Sequence, residues 1–336
     1  MNIRKALADF IIYHKVNNAS DYTLSNYRRY VTYFANWLEE KYAVVDTDDL
    51  QLAHLREWVA HLQQMIGRHG QKLAEGTVHQ YTLVLSIFCH WLEYEGVIEK
   101  PITTRFKLPK VEEKFIPTFT AEDIQKMLAV CEVKDKTKLH LCRALTSRNR
   151  AMVSVLIDTG IRRSELAGLR LCDVDRDMRV LLVRRKGKKW QQVPISREGF
   201  KALHEYLTKY RLILAREAGK TIALKEDAVF LTANGDGIAA NVVSHLFDRI
   251  AKKAGIDGKK VSAHNCRRYM ATTQLAMGRS PLDVQRQMGH TTLQMTNRYA
   301  SLVVDQIQQS HEEYSPWRQR PSGDKNESEK TGYWDE

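Results

Sequence analysis

Residues 159–166 read Thr159-Gly160-Ile161-Arg162-Arg163-Ser164-Glu165-Leu166, and the punctuation of this stretch organises what surrounds it. Upstream, Met152–Ile157 lies on a helix that stops at Gly160, because glycine closes a helix in the left-handed conformation without a Cβ penalty. Downstream a new helical turn begins. On it Arg162 and Glu165 stand three apart and share a side, so the carboxylate can hold the guanidinium. The same spacing also describes an ordinary surface ion pair.

Further along, the period changes from helical to alternating. Val180-Leu181-Leu182-Val183, a basic turn Arg184–Lys189 and Gln191-Gln192-Val193-Pro194-Ile195 read as a β-hairpin. Its tip, with Arg185, Lys186, Gly187 and Lys188, has the composition to enter a DNA groove or sit over a phosphate, and equally that of a solvated turn. Helices return from Arg197, interrupted by Asn234-Gly235-Asp236-Gly237 and by Gly255–Gly258. Two more segments carry reactive side chains. In His264-Asn265-Cys266-Arg267-Arg268-Tyr269 the histidine and the first arginine are three apart, and Met288-Gly289-His290-Thr291-Thr292 precedes Asn297-Arg298-Tyr299 with tyrosine nine residues after histidine.

Before residue 101 the pattern is purely helical. Stripes at about 2–16, 48–66 and 77–95, together with Tyr27, Tyr30, Val31, Phe34, Trp37 and Leu38, predict four amphipathic helices, the second capped by Thr23. Pro101, Pro109 and Pro117 mark a connection, after which Thr120 precedes an acidic first turn, Ala121-Glu122-Asp123, that starts a helix. The expected organisation is therefore a helical domain over 1–104, a linker over 105–117, a second domain over 118–310 and a flexible tail over 311–336. The fold class is mainly α, a small helical domain followed by a mixed α/β domain that is mostly helical with a small β-hairpin or sheet.

The 336 residues suffice for two cores, and 43% hydrophobic with 27% charged residues is the balance of a globular protein. No run approaches the roughly 18 apolar residues of a membrane span, and the opening lacks the form of a signal peptide, so a cytoplasmic protein is expected. Five cysteines without a CxxC pair fit reduced thiols; Cys131, His140 and Cys142 match no zinc spacing and read as packing or surface residues. The net charge of +12 is unevenly spread. Residues 118–310 carry 34 basic and 19 acidic side chains, whereas residues 1–100 carry 10 and 12, so a polyanion partner such as nucleic acid is expected at the second domain.

TGIRRSEL, the KGKK hairpin, HNCRRYMAT and MGHTTLQMTNRYA, in this order over 159–300, resemble the catalytic signature of the tyrosine recombinase (phage integrase) family. The region before 105 is similar in size and position to that family's SAM-like core-binding domain. The resemblance implies that Tyr299 is the nucleophile, that Arg162 and Arg267 bind the scissile phosphate with support from His264 and His290, that Lys186 is the general acid and that Glu165 positions Arg162. Arg163, Arg185, Lys188, Arg268 and, in the small domain, Arg28 are candidate DNA contacts. It further implies cutting and rejoining of double-stranded DNA through a 3′-phosphotyrosyl link, with no metal or ATP. The expected partners are paired inverted half-sites and other copies of the chain, a dimer per site and a tetramer in synapsis, near the nucleoid.

Elementary chemistry agrees with this. Phosphoryl transfer develops charge on the equatorial oxygens that two guanidiniums can stabilise, a tyrosine of pKa about 10 needs nearby cations and a proton acceptor, and a departing 5′ oxygen needs a proton. Arg268 stands where the family often has histidine and Cys266 where leucine is common. Helices that begin near residue 2 favour a two-domain, Xer-like or transposon-type enzyme over one with an added arm-binding module. Leu302, Val303, Gln306 and Ile307 form a short apolar stripe expected to dock in a neighbouring protomer. Two competing activities share these features: a catalytically silent DNA-binding regulator, and a type IB topoisomerase-like relaxing enzyme.

Overall fold

A computed structural model describes residues 1–67, 70–99, 101–112, 117–134, 138–185, 189–217, 227–289 and 292. The chain divides into two compact units, 1–115 and 116–336. In the first, α1 (Ile3–Val16), α2 (Asp21–Tyr42), α3 (Leu52–Gln64) and α4 (Glu75–Tyr94) follow the four sequence stripes. Phe10, Phe34, Leu38, Leu55, Phe88 and Leu92 fill the core, with Phe10 edge-on to Phe88 at 5.3 Å and Phe34 edge-on to Trp58 at 5.7 Å. The cap of α2 differs from expectation. Ser20, not Thr23, stands at the N-cap; its hydroxyl accepts the Thr23 N–H at 3.2 Å, and Thr23 lies within the first turn.

The second unit is built around α6 (Leu139–Thr159), which buries Ala151, Met152, Val155 and Leu156. Taken out of water, Met152, Val155 and Leu156 contribute about 1.5–3 kcal/mol each and the single methyl of Ala151 less, which makes α6 the central strut. α5 (Ala121–Ala129) precedes it, started by a reciprocal cap in which Thr120 N–H donates to Asp123 at 2.8 Å and Asp123 N–H donates to the Thr120 hydroxyl at 3.2 Å. Gly160 ends α6 at φ +64°, a conformation that calls for glycine, and a Cβ there would stand 2.1 Å from Met270 Cε, so that flexible side chain would also have to shift.

After the short α7 (Arg163–Ala167), β1 (Val174–Asp175), β2 (Val180–Arg184) and β3 (Trp190–Pro194) form an antiparallel sheet in the order β1-β2-β3. Leu181 pairs with Val193 and Val183 with Gln191, so Leu181, Val183 and Val193 face the core. α8 (Arg197–Glu205), a π-helical turn over Tyr206–Tyr210, α9 (Arg211–Glu217), α10 (Ala240–Lys253), α11 (Ala263–Ala276) and α12 (Pro281–Met288) complete the described part. Arg148 of α6 is buried deeply enough to pull its guanidinium down to about 10, and it donates to the Leu231 carbonyl at 2.7 Å. Cys131 is equally internal, its thiol donating to the Met127 carbonyl at 3.3 Å and pushed up to about 11 by burial. Among the described residues no helix is long and apolar enough to cross a membrane.

Candidate active site

The turn that ends α6 and starts α7 places Arg162 at the N-cap of α7 and Glu165 at its third position. Glu165 accepts the Arg162 backbone N–H at 2.8 Å through Oε2 and its guanidinium at 2.8 Å through Oε1. The carboxylate side chain is only 4% exposed, whereas that of Arg162 is 38% exposed. One end of the pair is therefore anchored in the protein and the other presented to solvent. This is no ordinary surface ion pair.

Arg267 comes from the first turns of α11 and is buried. Its Nη1 donates to the Gly160 carbonyl at 2.6 Å and its Nη2 to the Met288 carbonyl at 2.5 Å. A single guanidinium thus ties the end of α6, two residues before Arg162, to the end of α12. The last carbonyls of a helix have no intrahelical donor and form its negative pole, so a cation is well placed there. Gln191 of β3 donates to the neighbouring Arg286 carbonyl, and Gln287 Nε2 donates back to the Thr159 carbonyl at 3.3 Å.

Arg162, Arg163, His264 and Arg267 line one open cleft of about 720 Å³ together with Ser244, Asp248, Lys260 and Ser262. Four cationic side chains face a single carboxylate there, so the cleft suits an anion. Ser262 caps α11 by accepting the Asn265 N–H at 3.2 Å, which turns the positive end of that helix to the same space. His264 keeps much of its surface open, yet its pKa is lowered, first by the protein that surrounds the ring and then by Arg267, Arg268, Lys260 and Arg162.

Other candidates fall elsewhere. Arg163 is exposed and donates to Ser244 Oγ at 2.6 Å, Arg268 is half-buried on α11, and Arg28 is exposed on α2 of the first unit. Arg185, expected on the hairpin's solvated tip, is instead turned inward: its side chain is 7% exposed and donates to Glu165 Oε2 at 2.5 Å, Gln191 Oε1 at 3.0 Å and the Gln287 carbonyl at 2.5 Å. Lys186, Lys188, His290 and Tyr299 lie outside the described residues, as do the 301–309 stripe and the 311–336 tail. Lys260 was not a candidate from sequence. Its signal was the Gly258-Lys259-Lys260 run just before the cap of α11, in which Lys259 pairs with Asp123 at 2.5 Å and Lys260 lines the cleft.

Among the described residues the site is thus a cationic cleft organised by two arginines on a mainly helical scaffold with a three-stranded sheet, an arrangement suited to an anionic group. The chain is 30% identical over 315 residues to "Tyrosine recombinase XerC" of Pelotomaculum thermopropionicum, covering 92% of this chain and 97% of that protein. It is 27% identical to "Tyrosine recombinase XerD" of Corynebacterium glutamicum over 85% of this chain and 90% of the relative. Its fold matches that of the XerH site-specific recombinase bound to palindromic difH substrate, with a TM-score of 0.67 at 18% identity over 91% of this chain and 82% of that one. The model described as "Phage integrase family" matches residues 117–305, and the chain belongs to that family. It is a tyrosine recombinase, a DNA strand transferase of site-specific recombination.

Proposed function

We propose that the chain cuts and rejoins double-stranded DNA at paired inverted half-sites, with Tyr299 as nucleophile and the described cleft as the seat of the scissile phosphate. The observation that carries this reading is the convergence of Arg162, His264 and Arg267, from two distant motifs, on one cleft. Arg162 and Arg267 stabilise the charge that builds on the equatorial oxygens as the Tyr299 oxygen bonds to phosphorus. The phosphorus–O5′ bond breaks, Lys186 gives the departing oxygen its proton, and the phenolic proton passes to an acceptor in the site. His264 and His290 support the phosphate, and Glu165 aligns Arg162. Attack by a 5′ hydroxyl on the phosphotyrosine reverses these steps and regenerates the tyrosine.

In this reading residues 1–104 form the core-binding domain and 118–310 the catalytic domain, joined by 105–117. The 301–309 stripe docks in a neighbouring protomer to couple two copies on a site and four in synapsis, and the enzyme works in the cytoplasm at the nucleoid. Arg163, Lys188, Arg268 and Arg28 contribute backbone contacts. A nicked duplex that traps the cleaved state tests the site: Arg162→Ala and Arg267→Ala should each slow cleavage by about 10²–10³ while half-site affinity falls less than about threefold. Affinity lost in proportion to rate would refute the assignment.

A further inference from the structure

Arg185 immediately precedes Lys186 but belongs to the protein interior. Its backbone N–H donates to the Lys189 carbonyl at 2.7 Å, the last main-chain bond of the ladder before residues 186–188. Three nitrogens of its guanidinium are used in three directions: Nη1 to Glu165 at 2.5 Å, Nε to Gln191 at 3.0 Å and Nη2 to the Gln287 carbonyl at 2.5 Å. Gly289 closes over the group at φ +63°, where a Cβ would stand 2.9 Å from Arg185 Nε. One side chain therefore joins the hairpin root, the Arg162–Glu165 turn and the segment that runs into His290.

Electrostatics gives this arrangement a purpose. Glu165 lies between two guanidiniums, with Oε2 held from the interior by Arg185 and Oε1 turned to Arg162. Without Arg185 the Arg162–Glu165 pair would be neutral overall, and much of the field that Arg162 directs into the cleft would be cancelled. With Arg185 the trio carries one net positive charge. The buried cation offsets the carboxylate, so Glu165 orients Arg162 without neutralising it.

We propose that Arg185 is a positioning residue rather than a DNA contact: acting through Glu165, it holds Arg162 in place and keeps its charge available to the scissile phosphate. This rests on the reading that Arg162 binds that phosphate. Lysine at 185 keeps the charge but concentrates its donors on one nitrogen, which cannot reach three partners spread around a planar fork. Methionine keeps much of the bulk and removes the charge.

The test is a double-mutant cycle in the full-length protein, read as single-turnover cleavage of a nicked duplex, with half-site affinity measured in parallel. Arg185→Met should slow cleavage about 100-fold, the cost of a misplaced catalytic group, and Arg185→Lys about tenfold, with affinity unchanged within about threefold. In an Arg162→Ala background either change should cost at least about fivefold less than in the wild-type background, because the share of the loss that acts through Arg162 is gone and only the loss of the ties to Gln191 and the Gln287 carbonyl remains. Full additivity of the two losses would overturn the proposal. So would affinity falling in step with rate, which would return Arg185 to DNA contact. Should Arg185→Met fail to fold, the cycle with Arg185→Lys decides alone. Cleavage at the wild-type rate by Arg162→Ala would instead refute the reading of the site, a result separable from additivity on an impaired Arg162→Ala enzyme.

Discussion

Replacing Arg267 by lysine separates charge from geometry at the joint on which the site is assembled. Arg267 is 4% exposed, and its two terminal nitrogens hold the Gly160 carbonyl at 2.6 Å and the Met288 carbonyl at 2.5 Å. Lysine has one nitrogen on a flexible stem and can serve one of these carbonyls, so at least one charge-assisted bond is lost and one buried acceptor is left unpaired. Each such loss costs about 1.5–3 kcal/mol. Urea denaturation of Arg267→Lys should therefore show a midpoint lowered by the equivalent of about 2 kcal/mol with an unchanged slope. Because the freed carbonyl lies two residues from either Arg162 or His290, cleavage should fall further than stability predicts, about 100-fold on a nicked duplex under conditions where the variant is fully folded. Wild-type stability together with wild-type cleavage would refute the reasoning, since it would mean that a positive charge at 267 suffices and the two-pronged tie contributes nothing.

Three further outcomes are expected. A Cβ at 160 would stand 2.1 Å from Met270 Cε and the residue must keep φ +64°, so Gly160→Ala should lower unfolding free energy by about 1–3 kcal/mol in urea titrations, and the same change should cost less in a Met270→Ala background than in wild type; a single variant as stable as wild type would contradict it. His264, held below its usual 6.5 by its surroundings and the adjacent cations, should titrate below 6.5 by NMR in the free protein. Because the unfolded chain takes up that proton first, His264 lowers stability as pH falls through 6.5 towards the folded pKa and has no effect above; His264→Gln should flatten this part of the pH–stability curve, and an unaltered curve would count against it. Replacing the bridging 5′ oxygen by sulfur removes the need for an acid, so Lys186→Ala should recover on that substrate, and an equally slow reaction would deny Lys186 its role.

What was legible in the sequence is largely what is local. Gly160 as a helix stop, Thr120 with Asp123 as a start and Arg162 with Glu165 on one turn are all settled within four residues, and each is found as read. Ser20 and Thr23 both carry a capping hydroxyl, and the choice fell to Ser20, whose position three residues earlier adds nearly a turn to the helix. Arg185 is more instructive. Strand alternation puts it on the same face as Leu181 and Val183, so its inward position was available from the period-two pattern, but its charge argued for solvent. Charge misleads there because the partners that permit burial, Glu165 and the Gln287 carbonyl, lie 20 and 102 residues away. The same distance hides the role of Arg267 as a tie, and that of Arg148, whose carbonyl partner is 83 residues off. The two-residue β1 and the π-helical turn are too short for any periodic signal.

The measurement closest to the central claim is the chemical location of the covalent bond. Wild-type protein incubated with a nicked duplex in the presence of a chelator, then digested and analysed by mass spectrometry, should yield one peptide that carries a nucleotide 3′-phosphate on the Tyr299 oxygen, and Tyr299→Phe should yield none. A nucleotide adduct on any other residue, or undiminished adduct from Tyr299→Phe, would contradict the account.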